Sequence, residues 1–288
     1  MLQRYLFIAI ALGCAYRILS DNCAYLGLNE QDFLPRSYDK YHYVHLSKTS
    51  GTYTSMLIYA LNKAYPGSFD FQKDNDGRFK LSQSNYNVGS IRRLGDWYFS
   101  YWSYNKDLAC ILSIRNTTSA AYQKCYHAAE HHLFLAWMEA LAPDDDLGFA
   151  TQLFYSRYKR LATCNLTDSV CVDSEVKSFL LSSQDSIWID RWVRMENHYN
   201  DFIKSIAEYS KGRIAGPLNM TLVEMIIAEQ TEKEKLGQYP PIKLRQMADK
   251  DPSRDKEDFV KSMYFSQVSP AMALMARIDP SLKELTMC

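Results

Sequence analysis

Residues 41–61, YHYVHLSKTSGTYTSMLIYAL, constrain this chain more tightly than any other stretch. Tyr41 to Leu46 form a short β-prone run with little charge, as a strand buried in a parallel sheet requires. Ser47 to Thr52 are small residues around one lysine, Lys48. Beyond them Met56, Leu57, Ala60 and Leu61 recur at helical spacing. Strand, small-residue turn and helix start together make an anion cradle. Backbone N–H groups at the helix N-terminus point outward, the helix dipole favours negative charge, and the lysine adds a full positive one. The nucleoside-triphosphate P-loop is excluded, because its lysine follows the glycine whereas Lys48 precedes Gly51.

Further along, Leu108-Ala-Cys-Ile-Leu-Ser-Ile-Arg-Asn116 predicts a second buried strand ending in Arg115. A long helix is expected from about Thr117, with Ala120, Tyr122, Tyr126, Leu133, Phe134 and Trp137 as its apolar positions. Residues 186–197 predict a third strand, with a helix starting at His198. Strand–helix units carrying anion loops at strand C-terminal ends indicate an α/β fold: a single domain with a central parallel sheet flanked by helices. At 288 residues the chain can bury one large core. The aromatic patch at 96–106, DWYFSYWSYNK, is core, a strand edge or the wall of an acceptor cleft.

Lys48-Thr49-Ser50-Gly51-Thr52 directly after a strand resembles the 5′-phosphosulfate loop of sulfotransferases that use 3′-phosphoadenosine 5′-phosphosulfate (PAPS), of the Golgi, carbohydrate-modifying type. That loop commonly reads Lys-Thr-Gly-Gly-Thr-Ser, so Ser50 and Tyr53 are departures. Arg115-Asn116 resembles the family's 3′-phosphate motif. There Thr117 stands for the proline, Ala120 for the second arginine, and Gln123 for the serine eight residues after the first arginine. Arg194-Met-Glu-Asn and Asp201-Phe202 fit a later segment in which Glu196 would position a loop of the nucleotide pocket.

The resemblance spans about residues 41–285 and implies a P-loop-NTPase-like sulfotransferase fold for a catalytic domain over 41–288. It implies transfer of a sulfuryl group from PAPS to an acceptor hydroxyl on a carbohydrate or glycoprotein, with no metal. Lys48 would hold the bridging oxygen. The loop Thr49, Ser50, Gly51, Thr52, Tyr53 and Thr54 would bind the 5′-phosphate through backbone N–H groups and a hydroxyl of Thr52 or Thr54. Arg115, helped by Ser119 or Gln123, would take the 3′-phosphate. Arg254 and Lys256, in a late polar loop, either clamp phosphate or are solvated charges. Residues 62–107 contain no Glu or His, so the general base is missing where the family often has it. Asp96 is the nearest candidate, and His45 serves only if it escapes the strand's interior. This gap keeps open a catalytically inactive glycan-binding or scaffold protein on the same fold.

His127-Ala-Ala-Glu-His131 formally matches an inverted zincin signature. One turn apart on a helix, the two histidines would share a zinc with Glu130 as base and Glu196 as a third ligand. A short motif of this kind arises readily by chance, so a metallopeptidase is the lesser alternative.

Lys+Arg and Asp+Glu both number 33, and a net charge of zero argues against nucleic acid as a partner. The apolar run from Leu6 to Tyr16 is shorter than the roughly 20 residues of a spanning helix. Residues 1–20 predict a secretory signal peptide or a short type II signal anchor, with membrane anchoring through 5–19 and a stem over 21–40. A buried N-terminal helix in a cytosolic protein is the alternative. The Golgi lumen is the expected location. Of seven cysteines, Cys164 and Cys171 flank a polar loop and predict a local disulfide. Sequons occur at Asn116, Asn165 and Asn219, and the polar loop favours Asn165 as glycan carrier. By the resemblance, Asn116 would be buried near nucleotide.

Overall fold

A computed structural model describes residues 36–282, apart from 47–48, 50, 74–78, 115–116, 143–146, 159–163, 166–167, 182–188 and 236–269. The predicted address segment 1–20, the stem up to residue 35, and Lys48, Ser50, Arg115, Asn116, Arg254 and Lys256 therefore lie outside the described residues.

The chain builds a four-stranded parallel sheet in the order β2-β1-β3-β4, from β1 (Lys40–His45), β2 (Phe69–Lys73), β3 (Asn85–Ile91) and β4 (Arg191–Arg194). Helix α1 (Gly51–Ala64) returns the chain from β1 to β2. Between β3 and β4 lie α2 (Leu94–Ser113), α3 (Ala120–Glu130), α4 (Phe134–Ala140), α5 (Phe149–Arg157) and α6 (Ser169–Leu181). After β4 come a short 3₁₀ turn (Met195–Asn197), α7 (His198–Gly212), α8 (Met220–Lys235) and α9 (Pro270–Ile278).

Both faces of the sheet are covered, which is why β1 is buried at every position but its first. Tyr41, Tyr43, Tyr86, Val88 and Val193 project to one face and pack with Leu57 and Leu61 of α1, Phe202 and Ile206 of α7, and Val223 and Ile227 of α8. Val44, Leu46, Ile91 and Trp192 project to the other, into a larger core with α2 to α6 and α9. Gly89 is the register partner of both Val44 and Trp192, and a side chain there would run into the Trp192 ring.

Where the sequence predicts a strand from Leu108 to Arg115, the chain is helical as far as Ser113. Leu94, Trp97, Tyr98, Tyr101, Trp102, Lys106, Ala109 and Cys110 are buried at three- and four-residue spacing along one continuous α2. Leu108, Ile111 and Leu112 are the exposed side of its last turns. A five-residue apolar run cannot distinguish strand from helix, whereas the period read from Leu94 does. The aromatic patch is thus largely core. The long helix expected after Thr117 is two, α3 and α4, broken where His132 adopts φ 59°, outside the helical range.

Cys164–Cys171 is a disulfide, as the spacing predicts, and Cys110–Cys125 is a second one tying α2 to α3. Disulfides indicate an oxidising, extracellular or secretory-type compartment. Among the described residues no helix is long and apolar enough to cross a membrane.

Candidate functional site

The sheet order places the site. From β1 the chain moves outward to β2, then crosses to the opposite side of β1 to form β3. The loops leaving the C-terminal ends of β1 and β3 therefore diverge around a crevice, the switch point where open parallel sheets bind ligands. One of these loops joins β1 to α1 through Thr49 and carries Lys48 in its sequence. The other is Arg92-Arg93, leading into α2.

Side chains hold the first loop from three directions. Thr49 is buried; its hydroxyl donates to the Leu46 carbonyl at 2.5 Å and meets the Ser90 hydroxyl on β3. Ser90 in turn accepts the Leu46 N–H at 3.2 Å, so the turn is pinned to two adjacent strands. Gly51 opens α1 against the His45 imidazole, and any β-carbon there would overlap that ring. His45 is buried and stacks on Phe71, with centroids 5.9 Å apart. Thr54, one turn into α1, is fully buried and shares a hydrogen bond with His198 Nε2 at 2.8 Å. Burial lowers the His198 pKa to about 4 against the opposing pull of Asp201, so the imidazole is neutral. The Tyr53 ring lies 5.4 Å from His198, and its hydroxyl meets Thr231 of α8 at 2.5 Å.

These contacts sort the predicted loop residues. The Thr49, Tyr53 and Thr54 side chains face into the protein and set the shape of the turn. Thr52 is exposed, leaving its hydroxyl as the described one on the solvent side.

The second loop is braced from β4. Glu196 Oε1 accepts the Arg93 N–H at 2.9 Å, while Arg93 Nε donates to Asp96 Oδ2 at 2.8 Å. Asp96 is thus ion-paired in the first turn of α2. Arg194 is itself fixed by Asp201 through Nε and Nη2 at 2.6 and 2.7 Å, which locks the end of β4 onto α7. Between the two loops lies a small recess lined by Leu46, Thr49, Ile91, Arg92, Trp97 and Leu282. Arg92 is therefore a described cation that lies beside Thr49 of the first loop. Sequence reasoning missed it, although its signal was present: Ser100 stands eight residues after Arg92, the spacing the resemblance asks of its 3′-phosphate motif.

No protein-family model, curated protein or solved structure matches this chain.

Ser119 and Gln123 are engaged locally. The Ser119 hydroxyl caps α3 by accepting the Tyr122 N–H at 3.1 Å, and Gln123 Nε2 donates to the Thr117 carbonyl at 3.1 Å. Because 108–113 is helical, Arg115 follows a helix rather than a strand end. His127, Glu130 and His131 are exposed, and their ligand atoms do not all come within 4.8 Å of one another. Glu196, the third ligand of that alternative, is engaged with Arg93. Cys164, Cys171 and Glu175 do converge, but their disulfide consumes both sulfurs.

Proposed function

We propose that this chain is a sulfotransferase that moves a sulfuryl group from PAPS to an acceptor hydroxyl of the carbohydrate class, on a P-loop-NTPase-like sulfotransferase fold. The observation that carries the reading is the junction from the central strand β1 into α1, where Thr49 is fixed on Leu46 and Ser90, Gly51 lies against His45 and Thr54 is held by His198, so that the N–H groups opening α1 are preorganised. Lys48 and the N–H groups of Ser50, Gly51 and Thr52, with the exposed Thr52 hydroxyl, suit a 5′-phosphate. PAPS supplies the activated sulfuryl group; the acceptor oxygen forms the new bond to sulfur as the bond to the phosphate oxygen breaks, and the hydroxyl proton passes to solvent water. Lys48 offsets the charge that gathers on the departing phosphate.

For the 3′-phosphate the reading carries two arginines. Arg115 is the one the resemblance assigns, and Arg92 with Ser100 is the pair that follows β3. Golgi residence belongs to the same reading, which the two disulfides support only as far as an oxidising compartment.

A second reading has one observation in its favour. Asp96 is paired with Arg93 and His45 is buried against Gly51, so neither expected base faces an acceptor. A nucleotide-binding protein without transfer activity on the same fold fits that.

Thermal-shift titration of the full chain with 3′-phosphoadenosine 5′-phosphate tests both. At a hundredfold excess over Kd the ligand adds about 2.7 kcal/mol, raising Tm by roughly 5 °C. Lys48→Ala should remove that rise while leaving the ligand-free Tm unchanged, and Arg92→Ala against Arg115→Ala identifies the 3′-phosphate cation. Radiolabel transfer from PAPS to a glycan panel then separates enzyme from binding protein. A Tm indifferent to the nucleotide would sink both readings.

A further inference from the structure

A chain that folds in an oxidising compartment presents its Asn-x-Thr sequences to oligosaccharide transfer. Asn219-Met220-Thr221 opens α8, and both Asn219 and Thr221 are exposed. Asn219 Oδ1 accepts the Leu222 N–H at 3.2 Å and caps the helix. Its backbone N–H and carbonyl are both held by the Tyr65 hydroxyl, each at 3.2 Å. The cap therefore uses the carbonyl oxygen of the side-chain amide and makes no demand on Nδ2. A glycosylated asparagine keeps that oxygen, so modification and cap are compatible. On the same helix, Leu222 and Met225, one and two turns along α8 from Asn219, are exposed at 39% and 64%.

We propose that Asn219 is an N-glycosylation site whose glycan covers the exposed apolar side chains of Leu222 and Met225 on α8. The Asn219 amide nitrogen bonds to the anomeric carbon of an oligosaccharide carried on a polyprenyl diphosphate. The bond from that carbon to the diphosphate oxygen breaks, the diphosphate leaves on its lipid, and the amide gives up one proton to the transferase. Neither step depends on the sulfotransferase reading.

The test uses the full chain expressed in human cells, with glycopeptide mass spectrometry before and after N-glycanase treatment. The Asn219 peptide should carry a glycan, and one glycan's worth of gel mobility should disappear in Asn219→Asp and Thr221→Ala but persist in Thr221→Ser. Asn219→Asp retains a carboxylate to cap α8, so its fold is preserved. Both glycan-free variants should show at least a twofold larger aggregated fraction than wild type. An unmodified Asn219 overturns the site. A glycan-free variant that is no more aggregation-prone than wild type overturns the covering role.

Discussion

At the scale of single residues, the loop after β1 is held by two features that no motif contains. The first is the pair Thr49 and Ser90. Their hydroxyls meet in the interior and satisfy Leu46 from both sides, accepting its N–H and donating to its carbonyl. Ser90→Ala strands these buried groups and should cost about 1–3 kcal/mol in urea denaturation. It should also weaken nucleotide binding, because the turn loses its anchor to β3. The second is Gly51, whose missing β-carbon makes room for His45. Gly51→Ala should destabilise by about 1–3 kcal/mol through overpacking. In Gly51→Ala/His45→Ala the loss should be smaller than the sum of the single losses, as a double-mutant cycle would show. From sequence, Lys48, Gly51 and Thr52 are expected to form an anion loop; of these, the structure gives Gly51 its close fit to His45 and leaves Thr52 exposed. Thr54 was legible only as a hydroxyl, and its commitment to His198, 144 positions away, was invisible to any local reading.

At the scale of elements, β1, α1, β4 and the start of α7 fall where sequence periodicity puts them, because each is long enough or apolar enough to declare its period. The centre of the sheet does not. β3, Asn-Tyr-Asn-Val-Gly-Ser-Ile, is not among the strands expected from sequence, because its polar/apolar alternation runs only from Asn85 to Val88 before Gly89 and Ser90 interrupt it. It is nonetheless almost wholly buried, since Asn87 donates to the Ser82 carbonyl, Gly89 clears space for Trp192, and Ser90 serves the loop after β1. Conversely, the apolar run at 108–112 imitates a strand only when cut away from the α2 turns before it. The Cys110–Cys125 disulfide acts at this scale, closing a loop of 15 residues between α2 and α3. By loop closure alone it should add about 3 kcal/mol. Cys110→Ala/Cys125→Ala should lower the midpoint of chemical unfolding accordingly, while losing Cys164–Cys171, which spans 7 residues, should cost less.

At the scale of the molecule, the two sides of the sheet carry buried groups whose titrations oppose each other. His198, on the α7 side, has its pKa lowered to about 4 by burial, so the unfolded chain takes up its proton first. Stability from this group is present above pH 6.5 and is lost as pH falls towards 4, by about 3 kcal/mol in all. Asp279, after α9 on the far side, is fully buried and accepts hydrogen bonds from the Tyr98 hydroxyl at 2.6 Å and the Thr151 N–H at 2.8 Å. Burial still raises its pKa to about 6. Its proton is held more tightly in the folded state, so this contribution is greatest below pH 4 and falls away as pH rises to 6, again by about 3 kcal/mol. Wild type should therefore be nearly level between pH 4 and 6, and Asp279→Asn should become steeply acid-labile over that range. Unfolding free energies at half-unit pH intervals would check both slopes; a level profile for Asp279→Asn would exclude the His198 effect.

What the sequence determined by itself was local: a buried strand running through a small-residue loop into a helix, a disulfide between cysteines seven positions apart, and an α/β class with parallel strands. Those follow from backbone preference, side-chain period and chain proximity, all of which act over a few residues. Only the tertiary structure decided which strands border β1, that Arg92 lies beside Thr49, and that the Thr49 and Thr54 hydroxyls face inward. Those choices are made by packing between segments 40 to 150 residues apart, where the burial of Ser90 under Thr49 and of His198 under Thr54 outweighs the local polarity of each stretch.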